Sequence, residues 1–239
     1  MDTPLTKRVS MIELFYDLVF AYMISQATAL IHHLEHGMVS PVSFLIFTIV
    51  VVVFINSWMV QSVFTNRYGS SSWVDIAFSF VDMMILLYMT NSFSITSAKD
   101  MRTFFLAASC LSLTLLLQYL IVWARTQEPI DRDIAKAFSG ILLFRTIVLL
   151  VGGLFNTHWG RAIALIGILI SWWLPSLTGK YTSKHPIIFS HLLERLTLLI
   201  IITFGETIIG IADYFKPDRF SLSSIFVFII VASLFFAYI

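Results

Sequence analysis

The chain has 239 residues, of which 58% are hydrophobic and 12% charged, and its formal net charge is +1. A soluble domain carries roughly 25% charged residues, and a globule of this length cannot screen so much apolar surface from water, which excludes a water-soluble fold. The balance of 15 basic and 14 acidic residues lacks the cationic footprint of a nucleic-acid partner.

The basic start MDTPLTKRVS leads into an apolar run that contains Glu13 and Asp17. HHLEH follows that run, where a signal peptide would have a small-residue cleavage site. The run is therefore a retained first span, at about 11–33. Apolar segments long enough to cross a bilayer then recur at about 42–64, 73–95, 101–124, 134–155, 160–178, 189–212 and 221–239. HGMVSP, TNRYGSS, SITSAKD, RTQEPIDRD, TGKYTSKHP and DYFKPDRFS punctuate them. The fold class is all-α, a polytopic transmembrane helix bundle of about eight spans in a single membrane domain over residues 1–239. With the N-terminus in the cytoplasm, the inner side holds Lys7, Arg8, Arg67, Arg125, Arg132, Lys136, Lys180 and Lys184. The outer side holds Lys99, Arg102, Arg161, Lys216 and Arg219. Eight against five favours that orientation. The last span runs to Ile239 without a polar flank, which suggests a bundle incomplete at its C-terminus.

Cys110 cannot form an internal disulfide and reads as a small buried residue. Trp58, Trp73, Trp123, Trp159, Trp172 and Trp173 mostly lie near span ends, where indoles anchor at the headgroups. His32 and His36 stand one turn apart beside Glu35, but a metal needs more ligands, so no metal is assigned. GxGxxG, Walker A, HExxH and GxSxG patterns are absent, and no cofactor or catalytic residue is assigned.

The informative residues are ionisable groups inside the spans: Glu13, Asp17, Asp75, Asp82, Glu194, Glu206, Arg145 and Arg195, with His191. A charge at the centre of an isolated helix costs about 2.5–3.5 kcal/mol, so such groups usually face the bundle interior or a wet cavity. Glu13 and Asp17 share a helix face, as do Asp75 and Asp82, His191 and Arg195, and Arg195 and Glu206. With the N-terminus inside, Glu13, Asp17, Asp75, His191, Glu194 and Arg195 lie in the cytoplasmic third. Asp82 and Arg145 lie near the middle, and Glu206 in the outer half. The spacing predicts a column of ionisable groups across much of the bilayer. Gly205 and Gly210 would admit a close neighbouring helix beside Glu206. Fully ionised, the six acids and two arginines leave four uncompensated negative charges, which low dielectric does not tolerate. Some carboxylates must then be protonated, hydrated or paired with a cation.

IELFYDLVFAYMISQ (12–26) and HLLERLTLLIIITFGETIIGI (191–211) resemble the two signature stretches of the bacterial low-temperature-requirement A (LtrA) family. NSWMVQSVFTNRYG (56–69) resembles that family's second span and its N-R-[FY] exit. The resemblance implies a multi-span plasma-membrane protein associated with growth at low temperature, whose members extend beyond this length. It implies no defined biochemical activity.

Three functions are compatible with these residues. One is movement of protons or a small cation through the acidic network. A second is lipid handling by a membrane enzyme at the cytoplasmic cluster, and a third is a non-catalytic membrane-integrity factor. The first is favoured, because transport is a common reason to keep charges within a bundle. The partners are then the lipid bilayer and a proton or small cation. Oligomeric state is not encoded in any readable pattern.

Overall fold

The structure is a computed structural model that describes residues 7–31, 34–35, 38–91, 98–155 and 157–239. Its α-helices are α1 (Met11–Thr28), α2 (Pro41–Tyr68), α3 (Trp73–Thr90), α4 (Ala98–Arg125), α5 (Pro129–Leu154), α6 (His158–Trp173), the single-turn α7 (Gly179–Thr182), α8 (Phe189–Ile211) and α9 (Leu222–Tyr238). Strands β1 (Leu34–Glu35) and β2 (Met38–Val39) pair antiparallel between α1 and α2. Among the described residues, seven helical segments are long and apolar enough to cross a membrane. The apolar α9 is shorter, at 17 residues. The chain is a multi-pass all-α membrane protein.

Local chemistry sets where the helices begin. Ser10 caps α1: its Oγ accepts from the Glu13 N–H, and the Glu13 carboxylate accepts from the Ser10 N–H. Ser72 and Asp75 repeat this reciprocal box at α3. Pro41 and Pro129 stand at the starts of α2 and α5, where a missing N–H costs nothing. The α5 helix therefore begins at Pro129, earlier than the expected 134. The 28 residues of α2 rise about 42 Å, so this helix projects beyond the hydrocarbon core and carries Arg67 to its end.

Helix contacts link α9 to α8, α8 to α1, α1 to α3, α3 to α4, α4 to α5 and α5 to α6, while α2 lies against α1, α4 and α8. Phe20 and Met23 of α1, Phe54 and Trp58 of α2, Leu86 of α3 and Phe104 of α4 form the main core. A second cluster joins Phe64, Tyr119, Ile134 and Phe138, with the Tyr119 and Phe138 rings stacked 5.2 Å apart.

The α5–α6 contact depends on glycine. A Cβ on Gly167 would stand 2.1 Å from Val148 Cγ1, and one on Gly152 would stand 2.4 Å from Ala164 Cβ. Both glycines let two helices approach closely. Gly205 and Gly210 do not: a Cβ at either position meets nothing within 4 Å. Cys110 is exposed rather than buried, because it sits on the side of α4 away from the core. Trp73, Trp123, Trp159, Trp172 and Trp173 are exposed, but Trp58 is buried and serves the interior.

Candidate functional site: two buried polar layers

The first layer joins the starts of α1 and α8 to the last turns of α2. Asp17 is 0% exposed and Arg195 1%. Arg195 Nη2 donates to Asp17 Oδ1 at 2.5 Å, and Nε donates to Oδ2 at 3.1 Å. The planar guanidinium fork thus meets the carboxylate with two bonds. Trp58 Nε1 donates to Asp17 Oδ1 at 2.7 Å. Arg195 Nη1 donates to Thr65 Oγ1 at 2.9 Å and stands 3.7 Å from Glu13 Oε1.

His191 completes this layer, fully buried. Asn66 Oδ1 accepts from the Ile188 N–H at 2.8 Å, and its Nδ2 donates to the Ile188 carbonyl at 2.9 Å. That clamp orients the amide, so Nδ2 is the group facing His191 Nδ1 at 3.1 Å. Nδ1 therefore accepts, and the neutral ring carries its hydrogen on Nε2. Nε2 lies 3.4 Å from Glu13 Oε2. Lys7 donates from Nζ to the carbonyls of Thr65, Asn66 and Gly69 at the end of α2, where the helix dipole favours a cation. Burial pushes the Lys7 ammonium below the usual lysine range, and the charge of Glu13 opposes that shift.

The second layer lies deeper. Asp82 is 1% exposed and Arg145 5%. Thr114 Oγ1 donates to Asp82 Oδ1 at 2.5 Å. Arg145 Nη1 donates to Asn56 Oδ1 at 2.6 Å, and Nη2 donates to Ser57 Oγ at 3.0 Å. Arg145 Nε has no protein partner. Asp82 and Arg145 form no direct ion pair, yet both line one small cavity of about 20 Å³ together with Tyr16, Ser57, Gln61 and Ser112. A water needs roughly 10–15 Å³ of such space and two to four polar partners, so the cavity suits a single water. Gln61 Nε2 donates to Gln118 Oε1 at 3.2 Å beside it.

This arrangement corrects the expected column. Glu194 is exposed, turned away from the interior beside buried Arg195. Glu206 is half-buried and enters no ion pair among the described residues. Asp75 is half-buried, and its carboxylate accepts from the Ser70 and Ser72 N–H groups at the start of α3. With these three acids outside the interior, the surplus negative charge largely disappears. Glu13 and Asp17 face Arg195 with Lys7 nearby, and Asp82 shares its cavity with Arg145. Glu35, His32 and His36 lie outside the residues whose side chains are described. Among the described residues no group of three or more His, Cys, Asp or Glu side chains could hold a metal.

The uncharged members of the two layers carry no ionisable group to mark them in the sequence: Asn56, Ser57, Trp58, Gln61, Thr65, Asn66 and Thr114. A signal was present on α2. Asn56 and Ser57, Gln61 and Ser62, and Thr65 and Asn66 recur at helical spacing in an otherwise apolar span. Together they form a polar stripe between the layers.

No curated protein and no solved structure matches this chain. The model of the bacterial low temperature requirement A protein (LtrA) matches residues 8–239, nearly the whole chain, so this multi-pass membrane protein belongs to the LtrA family.

Proposed function

We propose that this protein moves protons within the bilayer of a bacterial plasma membrane, with its N-terminus in the cytoplasm and Asp82 as the proton-exchanging group. One observation carries the reading. Asp82 and Arg145 face the same water-sized cavity without neutralising each other directly. A water there would take a hydrogen bond from Arg145 and give one to Asp82. A carboxylate in contact with water can exchange a proton with it. The α2 stripe of Ser57, Gln61 and Thr65 leads from this cavity to the Arg195–Asp17 layer. The small volume favours a proton over a hydrated metal cation.

A second reading has its own support. The Arg195–Asp17 pair is fully enclosed and joined by two hydrogen bonds, as befits a lock between helices in a membrane-integrity factor.

Proton flux in proteoliposomes separates the two, with wild type beside Asp82→Asn after both are shown to be folded and monodisperse. Flux in wild type that falls at least tenfold in Asp82→Asn supports the first reading. Absence of flux in wild type leaves the lock as the role of the network.

A further inference from the structure

A second pocket, of about 330 Å³, runs along α2 from Asn56 and Val60 to Arg67, and neither polar layer accounts for its cationic end. Its walls include Met59, Val63 and Arg67 of α2, Phe138 of α5, and Trp172 and Thr178 around the end of α6. Met59, Val63 and Arg67 are spaced by four residues, so they form one line along the helix. That line is apolar toward the middle of the span and cationic at its end. The lining thus has the polarity of a phospholipid, with an apolar stem and a charged head.

Arg67 is held in place at the end of that line. Its Nε donates to the His185 carbonyl at 3.1 Å, and the guanidinium lies 6.0 Å from the Phe138 ring centroid. Its Nη1 is buried and has no hydrogen-bond partner. A buried unpaired N–H of a cation is costly, and a turn of the guanidinium toward the pocket would let a phosphate oxygen satisfy it. Asp131, the acid in this neighbourhood, is engaged by His185 at 2.5 Å and by the Tyr68 hydroxyl at 3.4 Å. Lys180 and Lys184, each close in the chain to a lining threonine, are exposed, and basic residues at a membrane face attract anionic headgroups. Trp172 is partly exposed at the same level, as expected of an interfacial indole.

We propose that this pocket binds an anionic phospholipid, with the phosphate on Arg67 and an acyl chain along Val63 and Met59. The volume suits the upper part of one chain rather than a whole lipid, so the tail would continue into the bilayer. The proposal does not rest on proton movement: Asn56 lines this pocket, but neither Asp82 nor Arg145 does.

Native mass spectrometry of the full chain in detergent tests it, titrated with phosphatidylglycerol or phosphatidylcholine. Wild type is expected to retain phosphatidylglycerol at least fivefold better than phosphatidylcholine. Arg67→Gln should erase that preference. Val63→Trp, which fills the apolar part and keeps the charge, should lower retention of phosphatidylglycerol by a similar factor. Inorganic phosphate serves as the control for a free anion. Equal retention of both lipids by wild type overturns the proposal. So does undiminished phosphatidylglycerol binding in both variants, or displacement of the lipid by millimolar phosphate.

Discussion

Arg195 and Asp17, 178 positions apart in sequence, meet through two hydrogen bonds in the bundle interior. The pair ties α8 to α1, and Trp58 adds α2. Two consecutive helices and one from far along the chain are thereby set at one depth and one rotation. A buried pair of this kind is costly to break from one side, because the remaining charge has no water to turn to.

Arg195→Leu or Asp17→Leu should therefore destabilise the protein by about 3–5 kcal/mol. The double variant Asp17→Leu/Arg195→Met should recover part of that loss, since neither member of the pair is left without the other, although Glu13 loses Arg195 as a neighbour. Reversible unfolding in mixed micelles measures all three. Equal losses in the single and double variants would remove the pair from this role.

Glu13 combines two tasks, as partner to Ser10 in the α1 cap and as neighbour to His191 and Arg195. Asp75 has only the capping task among its hydrogen bonds. Ser72→Ala should cost about 1 kcal/mol, the usual worth of an N-cap, and Asp75→Asn should leave any proton flux unchanged. Stability and flux measured on the same preparations decide this, and a flux defect in Asp75→Asn would return that residue to the functional network.

Glu194→Gln and Glu206→Gln are expected to be silent in flux, whereas Asp82→Asn is not. The difference follows from position, because the first two acids lie outside both polar layers. Loss of flux in Glu206→Gln with Asp82→Asn unaffected would reverse the assignment.

Gly167→Leu should force α5 and α6 apart at Val148 and cost about 1–3 kcal/mol by overpacking. Gly205→Ala has open space and should raise stability by up to about 1 kcal/mol through helix propensity. Thermal unfolding in detergent checks the sign of each change.

Composition and the length of the apolar runs determined the membrane class, the helical architecture and nearly all span positions, because lipid leaves a backbone few alternatives. Family membership was also legible, in IELFYDLVF and HLLER. Helical spacing placed Glu13 beside Asp17, and His191 beside Arg195, on shared faces. Spacing is a local property, however, and cannot say which face is turned inward. Glu194 adjoins Arg195 yet points outward, and Glu206 aligns with Arg195 but stands on a part of α8 that buries little. Neither Asn66 clamping Ile188 beside His191 nor Thr114 meeting Asp82 could be foreseen, since each contact joins separate helices. Tertiary packing alone decided these pairings, because a buried charge selects its neighbours from whatever helix can satisfy it.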